Sequence, residues 1–394
     1  MKYYINFLRD KPIIRSLSLV NFIASFGAWF STVAIYTMVV EFGSSEFAIA
    51  IVTAMHFIPA ILIAPFSGSL IDRLRIKPLM VTLLFIELSM TACFLLIETA
   101  SDLWLLLIFI FIRMSAASMF FSSEMSLLAK IATGKDLQTA NEIQSIIWSF
   151  TYAVGMAVSG FIVNLYGVKA AILIDVAIFV LAFFVFLNIK INIEYKKVEE
   201  KILELMIDGL RYIKNNKIIL HLIFLHASVG LTSYDALITI LAKNEYKELI
   251  AVPLAIGLSN AVRAVALMIG PLFLNKIIKK ENLQYLLIFQ GITIIIWAFA
   301  QSNFYLSLGA LFFVGFSTAF LWSYTYALLQ NHCDKRYIGR VISYNDMFFM
   351  LANVLTTLFI GTMAHITTTS IITICLGVAF LLYAYYYTKI YSKI

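Results

Sequence analysis

Twelve apolar stretches of about twenty residues each, separated by short polar connections, constrain this chain more than any other feature of its sequence. At 1.5 Å of rise per residue, each is long enough to cross the ~30 Å hydrocarbon core of a bilayer as an α-helix. Lipid offers backbone amides no partner, so only helices and closed barrels survive there, and these stretches lack the period-two alternation of a barrel. The spacing predicts spans over 16–41, 46–71, 78–98, 103–128, 138–163 and 168–189. A second set is predicted over 217–242, 250–275, 282–300, 303–330, 338–363 and 367–389.

Composition agrees, because 62% of the 394 residues are hydrophobic and only 13% are charged. A soluble domain carries roughly twice that charge. The net charge of +7 does not point to nucleic acid, since the basic residues cluster in the short connections between apolar stretches. With the N-terminus inside, 24 of the 29 Lys and Arg residues fall in cytoplasmic segments. Lys169, Lys243 and Lys247 fall outside, and Arg113 and Arg263 lie within spans. This bias predicts an inner-membrane protein with both termini in the cytoplasm. No cleavable signal peptide is expected, because the run after the polar first fifteen residues is too long for one. The scattered cysteines Cys93, Cys333 and Cys375 suggest neither a disulfide framework nor a metal site.

The one long polar stretch runs from Lys190 to Lys217. Within it Ile202, Met206, Leu210 and Ile213 recur at helical spacing among charged residues, which predicts an amphipathic helix on the cytoplasmic face. The two sets of spans also repeat. Leu127-Leu128 and Leu328-Leu329 each precede a polar turn and a helix start, at Thr139 and Arg340, with an offset of 201. Gly68 and Gly270 end the second and eighth spans at an offset of 202. The expected organisation is a six-helix bundle over 1–189, a linker helix over 190–216 and a second six-helix bundle over 217–394. Parallel repeats of this kind place a binding site between the halves at the midplane.

Between the second and third spans the chain reads Gly68-Ser-Leu-Ile-Asp72-Arg73-Leu-Arg75-Ile-Lys77-Pro78. This resembles the G-x-L-x-D-R-x-G-R-K loop of the major facilitator superfamily, with Arg75 and Ile76 in place of the second glycine and the following arginine. Leu137-Gln-Thr-Ala-Asn141, Ile174-Asp175, Asp208-Gly-Leu-Arg-Tyr-Ile213, Leu329-Gln330, Asp334 and Gly339-Arg340-Val341-Ile-Ser343 are similar to the branch of macrolide efflux proteins and the enterobactin exporter. That branch carries G-P-x-x-G-G in its fifth span, where this chain has Gly155-Met-Ala-Val-Ser-Gly160. The two remaining glycines still permit close helix approach. The resemblance implies an all-α polytopic membrane protein with twelve transmembrane helices in two six-helix pseudo-symmetric bundles. It also implies a cytoplasmic latch in which Asp72 meets the start of span eleven, with Gly68, Arg73, Lys77, Gly339 and Arg340 around it.

An ionisable side chain at membrane depth costs at least ~2.5–3.5 kcal/mol, so each such residue calls for a reason. Arg113 in span four begins Arg113-Met-Ser-Ala-Ala117, which resembles the R-x-x-x-G element of proton-driven exporters. It would bias a nearby acid or hold an anionic substrate, or else bond to carbonyls of span one. Glu87 in span three is a candidate proton carrier, or a partner of a neighbouring hydroxyl. His56 in span two reads as a hydrogen-bonded core residue or a proton relay. Asp235 and Arg263 are expected to pair between spans seven and eight, and Asp346, beside Asn345, to cap or latch span eleven. Asp175 matches the branch pattern without an assigned role. Trp29, Tyr36, Trp148, Trp297, Phe320, Trp322 and Tyr324 lie in spans expected to line the cavity, which suits a bulky, partly apolar cargo.

No nucleotide loop and no His or Cys cluster with metal spacing is present, so neither ATP drive, cofactor, metal nor enzyme chemistry is expected. The expected function is proton-coupled export of a drug-like or siderophore-like small molecule by a monomer working by alternating access. An uptake permease or lipid flippase of the same fold is the first alternative. A membrane assembly or signalling protein without flux is the second.

Overall fold

The computed structural model describes residues 2–191, 202–275, 277–334 and 336–393; the side chains at 2–3, 64–65, 67–69, 72–73, 202–203, 205 and 393 are not among those described. Fifteen α-helices follow one another through the described residues. They are α1 Lys2–Asp10, α2 Pro12–Glu41, α3 Glu46–Ala54, α4 Ile58–Arg73, α5 Ile76–Cys93, α6 Leu103–Ile131, α7 Gly134–Leu187, α8 Ile202–Asn215, α9 Lys217–Ala227, α10 Asp235–Leu241, α11 Val252–Leu274, α12 Leu283–Ala300, α13 Phe304–His332, α14 Ile338–Met363 and α15 Thr369–Ile390.

Eleven stretches of the described chain are long and apolar enough to cross a membrane. One of them, α7, has 54 residues. At 1.5 Å each it would run ~81 Å if straight, more than twice a hydrocarbon core. It turns back at Gly167, whose φ of 80° and ψ of 171° no side-chain-bearing residue adopts without strain. The expected spans 138–163 and 168–189 are therefore joined through this one residue, so the eleven stretches account for the twelve expected spans.

Two expected spans are interrupted. The span placed over 46–71 breaks at Met55–Phe57, between α3 and α4. Pro59, in the first turn of α4, lacks an amide hydrogen, and in a continuous helix its ring would clash with the Met55 carbonyl. The span placed over 217–242 breaks between α9 and α10, where Ser228–Thr232 tighten into a 3-10 turn. No proline marks that break. The predicted linker helix is present as α8, but Leu210 is exposed while Ile213 and Gly209 are buried, so the packed face is narrower than the periodicity suggested.

In the first set, α2 packs along α7, and α6 packs on α4 and α5. In the second, α11 packs on α13, and α12 on α13 and α15. The sets meet where α7 crosses α11 and where α14 crosses α3 and α4. The side bearing the Lys- and Arg-rich connections is here termed the basic face and the opposite side the far face. At the far face α7 and α11 touch backbone to backbone. A Cβ on Gly160 would lie 2.7 Å from the Pro253 carbonyl oxygen, and one on Gly257 2.7 Å from that of Met156. Only glycine allows this approach.

Candidate functional site

Two buried arginines organise the polar interior. Arg113 of α6 is 4% exposed. Its guanidinium donates to Ser31 Oγ of α2 at 2.7 Å and to Asp175 Oδ2 of α7 at 3.2 Å. It lies over the rings of Phe94 and Phe179 at 5.5 and 5.1 Å. A planar fork suits this set of partners, which together hold three helices of one bundle. The partners are thus a hydroxyl and a carboxylate, not the carbonyls of span one. Asp175, left without a role by the sequence, is the counter-ion, and its Oδ1 has no hydrogen-bond partner among the described residues.

Arg263 of α11 joins the two sets of helices. It donates to the Thr232 carbonyl at 2.8 Å and to Tyr152 Oη of α7 at 3.4 Å. Thr232 ends the 3-10 turn, and a broken helix leaves carbonyls free for such a donor. Asp235, in the first turn of α10, lies 3.6 Å from the guanidinium, and its Oδ1 has no hydrogen bond among the described residues. The expected pair is present, in a span that is broken just before the acid. Tyr152 donates in turn to Asn260 Oδ1 at 3.2 Å. Trp29 and Trp148 pack on Tyr152, with centroids 4.4 and 5.5 Å away.

The other expected residues fall in several places. His56 lies in the break of span two, its Nδ1 3.0 Å from the Val52 carbonyl and its ring 5.7 Å from Tyr36. Glu87 is buried, and no hydrogen bond of its carboxyl is found among the described residues. Asp346 accepts from Asn345 Nδ2 at 3.3 Å. It sits more than two turns into α14, where no free backbone N–H remains, so it does not cap that helix. Trp297 is fully buried, donating to Ser307 and packing on Tyr234, and Phe320 is core as well. Neither faces an open space. Trp148 and Trp322 are exposed.

Of the expected latch, the surroundings of Gly68 and the side chains of Asp72 and Arg73 lie outside the described residues. Lys77 donates to the Leu187 carbonyl at 3.2 Å. Arg340 donates to Asp208 of α8 at 2.7 Å, and Tyr212 of α8 stacks on Tyr337 at 4.2 Å. A Cβ on Gly339 would meet nothing within 4 Å, so close approach is not what that glycine serves.

Three groups escaped the sequence reading. Glu124 of α6 is 1% exposed and accepts from Gln144 Nε2 at 2.7 Å. His226 is fully buried among Trp322, Tyr326 and Phe349, with Nδ1 at 2.8 Å from Thr325 Oγ1 and no partner of Nε2 among the described residues. At the far face, Lys243 Nζ lies 3.0 Å from Glu46 and 2.8 Å from the Ser44 carbonyl, with Asn244 and His365 on the same carboxylate. Among the described residues, the hydrogen bonds and ion pairs between the two sets run from mid-depth, at Tyr152, to this far-face cluster. Toward the basic face, a shallow, open groove runs along one face of the start of α7 beside Gln138, Asn141 and Ser145.

The family described as Major Facilitator Superfamily matches residues 17–357. No curated protein matches the chain in sequence. Among solved structures, that of the nucleoside transporter NupG is similar over 96% of this chain and 99% of its own, with a TM-score of 0.77 and 13% identity. A bacterial homolog of the human lysosomal transporter Spinster, in an inward-facing and unoccupied conformation, is similar over 96% and 95% with a TM-score of 0.73 and 12% identity. At these identities the likeness is one of fold.

Proposed function

The chain belongs to the major facilitator superfamily, and from that premise we propose that it is a proton-coupled secondary transporter exporting a bulky, partly apolar small molecule by alternating access. It is a multi-pass membrane transporter, not an enzyme. The observation that carries the mechanism is the mid-depth cluster of Tyr152, Asn260, Arg263 and Asp235, shared between helices of both sets and flanked by Trp29 and Trp148. A site shared by two rigid bodies changes shape when they rock, and that movement is what alternates its access. The bodies are residues 1–189 and 217–394, with 190–216 as tether. By the positive-inside rule the basic face is cytoplasmic, and the polar contacts between the two sets among the described residues lie from mid-depth to the opposite face.

Proton coupling is supported by the buried carboxyls of Glu87, Glu124 and Asp175 and the half-buried carboxyl of Asp235, all in spans of a chain without a nucleotide loop. Buried acids in transporter spans commonly serve as proton sites. The export direction is supported by the motifs around Asn141, Asp175, Asp208 and Arg340. The test is dye accumulation in everted against right-side-out vesicles under an imposed pH gradient. Export predicts uptake into everted vesicles only, abolished by a protonophore and preserved without ATP. Support by a sodium gradient alone would overturn the proton assignment, and accumulation in right-side-out vesicles only would reverse the direction.

A further inference from the structure

Glu124 differs from the other buried acids of the interior. Asp175 and Asp235 each face an arginine, and Glu87 lies within the electrostatic reach of Arg113 and Asp175. Glu124 has no ion pair among the described residues; the amide of Gln144 is its one polar partner. Among the described residues, no charged group of the helices packed on α6 acts on it. Lys77 of α5 is committed to the Leu187 carbonyl, Lys11 before α2 to Asp136 of α7, and the side chains of Asp72 and Arg73 of α4 lie outside the described residues.

From Glu124 a chain of hydrogen bonds crosses three helices. Gln144 Nε2 of α7 donates to Glu124, Asn21 Nδ2 of α2 donates to Gln144 Oε1, and Ser25 Oγ donates to Asn21 Oδ1 at 2.7 Å. Every donor points toward the carboxyl, which is the direction an ionised acceptor demands. The chain ends at Asn21 and Ser25, which are half-buried, and Gln144 neighbours the groove residues Asn141 and Ser145 on α7. A primary amide presents a donor and an acceptor at opposite ends, so such a chain has two self-consistent directions. When Glu124 is protonated, its O–H donates to Gln144 Oε1, and both amides turn over to keep every bond. Ser25 then faces a donor where it faced an acceptor.

We propose that Glu124 takes up the coupling proton from water at the basic-face groove of α7, and that the Gln144–Asn21–Ser25 chain reports its state to α2. The proton adds to one carboxylate oxygen, turning anion to neutral acid; no other bond is made or broken beyond the reversed hydrogen bonds. This rests on the proton-coupled reading above and names its site. An ionised carboxylate held by one amide in a membrane interior is poorly solvated, whereas the neutral acid in the reversed chain keeps the same three hydrogen bonds without a buried charge. The two states therefore present different hydrogen-bonding walls to a cargo, which is the differential interaction a coupled transporter needs.

The test uses the full chain in lipid nanodiscs and needs no cargo. Infrared difference spectra between acidic and alkaline buffer should show a carboxylic C=O band rising together with a shift in side-chain amide C=O bands. Glu124→Gln should lose one carboxylic component, while Gln144→Met should keep that component at a shifted frequency and lose the amide change. A spectrum of Glu124→Gln identical to wild type, or an amide change that survives in Gln144→Met, overturns the proposal. In parallel, Met156→Cys, in a background with the three native cysteines replaced by serine, reports far-face opening by maleimide labelling. Labelling that depends on pH in this background but not when Glu124→Gln is added supports the coupling role. Equal pH dependence in both overturns it. A Glu124 band that titrates while labelling never depends on pH supports the proton site and overturns the proton-coupled reading it rests on.

Discussion

Arg113 and Arg263 solve the same problem in different company. Each is a guanidinium at membrane depth with a carboxylate at 3.2 or 3.6 Å. The ligands of Arg113 all come from the first six spans, whereas Arg263 reaches across to Tyr152. The first is placed to hold one bundle rigid and the second to sense the other bundle. Removing one member of a buried pair strands the other charge at a cost of about 3–5 kcal/mol, while removing both together is often close to neutral. Arg113→Leu or Asp175→Leu alone should therefore lower the melting temperature in detergent steeply, and the double variant should recover most of the loss. Additive losses would show that the two residues do not act as a pair. The arginine was legible in the sequence because a charge stands out in an apolar run. Its counter-ion was not, because the two are 62 positions apart and only packing brings them together. Glu124 was missed for a different reason: four residues from the predicted end of its span, a carboxylate reads as interfacial, and α6 runs on to Ile131.

At the scale of elements, the helices that break are the informative ones. The break in span two follows from Pro59, so the sequence carried that signal. The break in span seven has no such residue, and it is stabilised by Arg263 on the freed Thr232 carbonyl, a contact between helices. The linker helix α8 is fastened to the start of α14 by an ion pair of partly exposed groups and by a ring stack whose tyrosine hydroxyl also accepts from the Asp334 amide at 3.1 Å. A partly exposed ion pair contributes about 0–1 kcal/mol, and a stacked aromatic with its buried area more. Tyr212→Ala should thus lower thermal stability in detergent clearly more than Asp208→Asn does. The opposite order would mean that charge, not stacking, fastens the helix.

For the whole molecule, the question is which face is closed and how firmly. The far face is closed by the Gly160–Gly257 crossing and by Lys243 on Glu46, with side chains 21% and 19% exposed. Opening that face exposes both charges to water and separates them. A charge-assisted bond of this kind is worth about 1–3 kcal/mol, which corresponds to roughly 5–150-fold in the ratio of the two states. Glu46→Gln should shift the population toward the far-open state by a factor in that range, measured as faster labelling of a cysteine at Met156. Lys243→Met should do the same. Slower labelling in either variant would mean that the cluster holds the face open instead.

The sequence by itself determined the class, the twelve crossings, the basic face and the family, because each depends on properties additive along the chain. Apolar length sets a span, the count of Lys and Arg per connection sets orientation, and a loop motif is contiguous. Only the tertiary structure decided which charges meet. Asp175 joined Arg113, Arg340 turned to Asp208, Glu46 met Lys243, and Glu124 closed a chain through Gln144 to Asn21 and Ser25. Hydrophobic burial is non-directional and can be read from composition, whereas a hydrogen bond exists only within a few tenths of an ångström and a narrow angle. Those distances are set by how the helices cross, and no periodicity along one helix records where another will lie.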